Sequence, residues 1–220
     1  MSFAVSAETA ASAETKDLAA VHGGVAACTQ CRLSQGRSCA VPGEGSARAE
    51  LLFIGEGPGK NEDLQGRPFV GAAGKFLDQM LEVIKLKRED VFITNVVKCR
   101  PPENRDPLPD EIATCTSAWL TAQLHHIDPV LIVTLGRHSL KHFIDNKQIS
   151  ACHGKPMRAL APDGIKRVFY PLYHPAAALY NGSMRGTLIE DFKKIPAVLK
   201  AAKELREKER LLAEMQGKES

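Results

Sequence analysis

The chain has 220 residues, 44% of them hydrophobic and 25% charged, with a net charge of +3. This suits one domain with an ordinary core, and the small net charge means that any surface for nucleic acid must be local. No run reaches the roughly 18 apolar residues of a membrane span, and the N-terminus lacks the basic opening and apolar centre of a secretory signal, which points to a cytoplasmic protein.

Residues 1–15, rich in Ala, Ser, Glu and Thr, are expected to be disordered. Residues 16–200 are expected to form one domain, and 201–220 a charged helical tail. A short helix leads into Cys28-x-x-Cys31. Four apolar runs of strand length follow: ELLFIG at 50–55, VFITNVV at 91–97, VLIVTLG at 130–136 and RVFYPL at 167–172. Runs of this kind suit strands buried on both faces, as in parallel sheets. Between them, Phe76, Leu77, Met80, Leu81 and Ile84 recur at helical spacing. Pro109 opens a second helix, a third follows Gly136, and a last one starts near Arg185, bent or restarted near Pro196. The alternation predicts an α/β fold: a three-layer α/β/α sandwich around a central, mostly parallel four-stranded sheet.

Ligands of such sheets sit beyond the carboxyl ends of the strands. That rule selects the loops 55–71, 95–107 and 173–183. The first is glycine-rich, yet neither nucleotide motif fits it. Gly55 and Gly59 enclose three residues where a Walker loop needs four, and Asn61 follows Lys60 where Ser or Thr is required. A dinucleotide fingerprint fails as well, because Pro58 interrupts it and no helix is expected before Gly74. Four cysteines, Cys28, Cys31, Cys99 and Cys115, are spaced as a metal set. Thiolates of that number suit tetrahedral zinc or an iron–sulfur cluster, and spacing does not separate the two.

GEGPGKNEDLQGRPFVG (Gly55–Gly71), TNVVKCRPPENR (Thr94–Arg105) and YHPAAALYN (Tyr173–Asn181), in that order with the four cysteines, resemble the uracil-DNA glycosylase superfamily. The likeness is closest to its family 4, the iron–sulfur branch. The resemblance implies a structural [4Fe–4S] cluster on Cys28, Cys31, Cys99 and Cys115, and uracil-containing DNA as substrate, with the base held outside the stack. Gly55, Gly57 and Gly59 would let the backbone lie against the extruded base, and Gly57 would leave room for ligand or water. Phe69 would stack on the ring. Asn95 would read uracil, since cytosine presents the opposite donor and acceptor pattern. His174 would steady the charge on the leaving base. Glu56 is the first candidate to orient water, and Glu62 to guard the C5 edge. Lys98, Arg100, Arg105 and Arg185 are the expected DNA contacts, supported by Lys60 and Arg67, with Leu179 to Met184 filling the gap left in the duplex. A related branch that traps DNA covalently carries a basic, histidine-bearing insertion after the second motif. Lys98–Arg105 lacks it, so turnover is expected. The expected protein is a monomer, meeting repair or replication proteins. Two rival readings stand beside this one: a binder of uracil-DNA without turnover, and a four-cysteine zinc interaction module.

Overall fold

A computed structural model describes residues 18–216. In chain order the elements are α1 (Leu18–Ala27), β1 (Glu44–Gly45), β2 (Leu51–Gly55), α2 (Lys60–Gln65), α3 (Ala72–Val83), β3 (Phe92–Asn95), α4 (Pro109–Cys115), α5 (Thr121–Ile127), β4 (Leu131–Leu135), α6 (Arg137–Phe143), α7 (Ile149–Cys152), β5 (Met157–Leu160), β6 (Lys166–Leu172), α8 (Ala177–Tyr180) and α9 (Gly182–Gln216). The predicted disordered segment, residues 1–15, lies outside the described residues.

Among the described residues the sheet has six strands, in the order β1-β3-β2-β4-β6-β5. Its centre is the expected set of four, with β3, β2, β4 and β6 all parallel. The two added strands are short antiparallel edges: β1 pairs with β3 and β5 with β6. They escape sequence reading because two residues carry no periodicity, and because the alternating, half-exposed MRAL of β5 reads as a loop. Pro171 is tolerated in β6 because it stands opposite Thr134 of β4, while β5 pairs no further along than Phe169.

Side chains alternate between two cores. Leu52, Ile54, Ile132 and Phe169 face one cluster with α1, α4 and α5. Leu51, Phe53, Val133 and Tyr170 face the other, with α3 and α9. The layers are helix, sheet, helix. Between α4 and α5 the chain makes one π-helical turn, Thr116–Leu120, so the predicted helix is continuous but locally widened. The last helix starts at Gly182, earlier than expected, and runs through Pro196 as one element of 35 residues. Among the described residues no helix is long and apolar enough to cross a membrane.

Candidate active site

Three strand ends meet at one place. Gly55 closes β2 and pairs across the sheet with Asn95, the last residue of β3. His174 follows β6 by two residues. A cleft of about 510 Å³ lies over this edge, and Gly57, Phe69, Asn95 and His174 all line it, with Glu56 and Glu62 on its wall. The four residues named from distant motifs thus face one slot.

The packing explains several glycines. A Cβ on Gly55 would stand 2.3 Å from Asn95 Oδ1 and 2.7 Å from Phe69 Cζ, so Gly55 is what lets those two side chains lie across the strand end. A Cβ on Gly57 would meet Val97 Cγ2 at 2.8 Å, and one on Gly59 would meet Glu62 Oε2 at 2.8 Å. The requirement at these two positions is therefore set by protein neighbours as well as by the cleft. Gly59 also precedes α2 directly, which corrects the expectation that no helix starts before Gly74.

Phe69 is buried and holds a φ of +52°, a rare backbone state for a bulky residue. Its ring lies 5.7 Å from the His174 ring, inclined by 28°. Glu62 Oε1 accepts the amides of Val70 and Gly71, each at 2.9 Å, so this carboxylate shapes the turn that presents Phe69. Asp63 turns away from the cleft and accepts the Ser38 amide at 3.0 Å.

His174 Nδ1 accepts the Ala176 amide at 3.1 Å. That bond assigns the ring proton to Nε2, as a neutral donor. Burial pushes the His174 pKa down to about 4, against the opposing pull of Glu62, with His138 adding to the drop. Gly136 (φ +95°) lies against it, since a Cβ there would be 3.1 Å from His174 Cβ. Glu56 has its pKa raised to about 7, first by burial, then by Asp106, with Arg137 opposing. His138 sits between the two acids, 3.5 Å from Glu56 and 3.6 Å from Asp106. Sequence reading gave Gly136 and His138 no role; the glycine after a buried strand end was the available signal for the first, and no local pattern marks the second.

The four cysteines gather from three segments. The charges of Cys28 and Cys31 act on Cys99, and those of Cys99 and Cys31 on Cys115. Three of the sulfurs receive a donor. Arg37 Nη1 reaches Cys99 Sγ at 2.9 Å, the Lys98 amide reaches Cys115 Sγ at 3.3 Å, and Trp119 Nε1 reaches Cys28 Sγ at 3.2 Å. The donor set is chemically that of a thiolate centre with outer hydrogen bonds. Burial pushes the Cys115 thiol up to about 11, with Lys98 opposing, so a bound metal is what would keep such buried groups ionised. Arg37 and Trp119 were not foreseen, because their partners lie 62 and 91 residues away.

One expected DNA contact, Lys98, needs correction. Lys98 is 1% exposed and cannot touch a phosphate. Its Nζ donates to Thr94 Oγ1 at 2.7 Å and to the Asn95 carbonyl at 2.6 Å. Its pKa is pushed down to about 8 by burial, with the Cys115 and Cys99 sulfurs opposing. Arg105 forks onto Glu111 at 2.7 and 2.9 Å, although it still lines the cleft. Arg100 binds Asn104, and Arg67 binds Glu44. Arg185 lies 4.4 Å over the Phe76 ring and bonds Gln79, which fastens α9 to α3. Leu179 and Tyr180 rim the cleft, 46% and 91% exposed.

An open, mostly parallel sheet whose carboxyl edge holds an aromatic ring, an amide and a neutral imidazole in one slot defines an α/β protein built to grip a small planar group. The chain belongs to the Uracil DNA glycosylase superfamily, whose sequence model matches residues 42–204. It is similar to the type-4 uracil-DNA glycosylase of Saccharolobus solfataricus, 50% identical over 178 residues that cover 78% of this chain and 82% of the relative. The corresponding protein of Sulfurisphaera tokodaii is 52% identical, covering 78% and 80%. That of Thermotoga maritima is 44% identical, covering 79% and 90%.

Proposed function

We infer that the protein is a uracil-DNA glycosylase, which hydrolyses the N-glycosidic bond of deoxyuridine in DNA and leaves an abasic site, the opening step of base excision repair. The observation that carries this reading is the convergence of Phe69, Asn95 and His174 on one cleft beside Glu56, in a chain of that superfamily. An extruded uracil stacks on Phe69, a contact worth roughly 1–3 kcal/mol. The Asn95 amide donates to O4 and accepts from N3–H, a pairing that cytosine reverses. As the C1′–N1 bond breaks, its electron pair passes to the base and negative charge gathers on O2. The Nε2–H of neutral His174 stabilises that charge where it develops. The Glu56 carboxylate orients the water that adds to C1′ and favours the cationic sugar, and the proton that this water loses balances the charge of the released uracil anion. Glu62 acts through the turn it holds.

Cys28, Cys31, Cys99 and Cys115 would hold a [4Fe–4S] cluster, which ties the N-terminal helix to the loop carrying Arg100 and Arg105. Arg100, Arg105 and Arg185 are the proposed phosphate contacts, and Leu179 with Tyr180 the groups that fill the vacated stack. The test is incubation of the purified protein with a uracil-containing oligonucleotide, then alkali. Cleavage at the uracil with release of free base is expected; binding without release would support the non-catalytic reading.

A further inference from the structure

The strained turn at Phe69 is held by a side chain that no motif marks. Arg88 lies in the turn Arg88–Asp90, just before β3, and its side chain is 20% exposed. Its guanidinium spreads over two consecutive carbonyls: Nη1 donates to Phe69 O at 2.9 Å, and Nη2 to Pro68 O. The same group is oriented by two acids, Glu44 through Nε and Asp78 through Nη1 at 2.9 Å. Glu44 is steadied in turn by Arg67 at 2.7 Å. On the other side of the turn, a Cβ on Gly74 would stand 1.7 Å from Phe69 O, so the helix start packs directly on that carbonyl. Glu62 holds the next two amides. The carbonyls of residues 68 and 69 point to Arg88, the amides of 70 and 71 to Glu62, and the ring is left to face the cleft.

A residue with left-handed φ persists where its surroundings over-determine it. Only a planar fork of several donors can serve two carbonyls and two carboxylates together; a lysine ammonium has neither the span nor the fixed angles. We propose that Arg88 is a positioning residue for base stacking, which clamps the Pro68–Phe69 backbone so that the Phe69 ring lies parallel to the bound uracil. The clamp acts through Phe69 and touches no substrate. The proposal rests on the glycosylase reading above.

The test is a double-mutant cycle on the full chain, read as kcat/KM for uracil release under matched conditions. Arg88→Ala is expected to lower kcat/KM about tenfold in the native background, and less than about twofold in the Phe69→Leu background, where no ring remains to be placed. Circular dichroism and the thermal midpoint verify folding. Arg88→Lys keeps a cation opposite Glu44 and Asp78 but loses the fork, and is expected to behave as Arg88→Ala does. Equal losses in the two backgrounds, or full rescue by lysine, would overturn the proposal. So would a chain that unfolds with either substitution, because Arg88 would then serve the fold alone. An unsubstituted chain that releases no uracil sinks the glycosylase reading and this inference together; additive losses in an active chain sink only the inference.

Discussion

The two cleft groups with displaced pKa values set a pH profile that can be worked out in advance. Glu56 is raised to about 7 and His174 is lowered to about 4. If the Glu56 carboxylate orients the water, kcat/KM falls as it takes up a proton. That ratio reports the free enzyme's groups. Below pH 7 the ionised fraction drops by about tenfold per pH unit, so the rate at pH 5 should be on the order of a hundredth of its plateau. His174 contributes nothing to this limb, because it stays neutral until pH nears 4. Glu56→Gln should lower the plateau and remove the limb, leaving a flat profile from about pH 5 to 8. The assay is single-turnover release of uracil from an oligonucleotide across that range. A native profile flat through pH 7, or an unchanged limb in the glutamine variant, would refute the role given to Glu56. Stability runs in linked directions. A raised carboxylate binds its proton more tightly when folded, so Glu56 costs stability as pH climbs from 4.5 through 7. A lowered imidazole binds its proton less tightly when folded. The stability lost through His174 therefore grows as pH falls from 6.5 towards 4, to a limit of about 3 kcal/mol at roughly 1.4 kcal/mol per pH unit.

The other predictions follow from contacts already described. Gly55→Ala should leave the fold intact but push Asn95 and Phe69 out of the slot, given the 2.3 and 2.7 Å approaches; retained uracil release in a folded protein would contradict the packing argument. Lys98→Met should leave the salt dependence of DNA binding unchanged, since a buried amine releases no counterion, and should lower thermal stability; a salt slope smaller by about 0.9 would make Lys98 a phosphate contact after all. Cys99→Ala should strip the visible absorption of the purified protein and lower its thermal midpoint. Full absorption in that variant would remove Cys99 from the cluster.

The central sheet was legible because its strands are buried on both faces and so read as unbroken apolar runs. The same rule placed three loops at the carboxyl edge, and the order of their motifs brought Phe69, Asn95 and His174 into view. What stayed hidden depends on tertiary approach. Lys98 stands in a basic loop in the sequence, yet the strand end folds over it and its amine turns inward to the Asn95 carbonyl. Arg88 lies 19 residues from the carbonyl it holds, and Arg37 lies 62 from its sulfur. Gly57 was read as room for ligand, while its nearest neighbour is Val97. Composition and periodicity carry no trace of such pairs.

The account turns on a slot that selects uracil, and the most direct measurement is base preference. Oligonucleotides with uracil, cytosine or thymine at one position should be offered to the native chain and to Asn95→Asp under single turnover. Release of uracil alone by the native chain, with a loss of at least about tenfold in the variant, is the expected result. Equal release of uracil by both proteins, or none by the native chain, would contradict it.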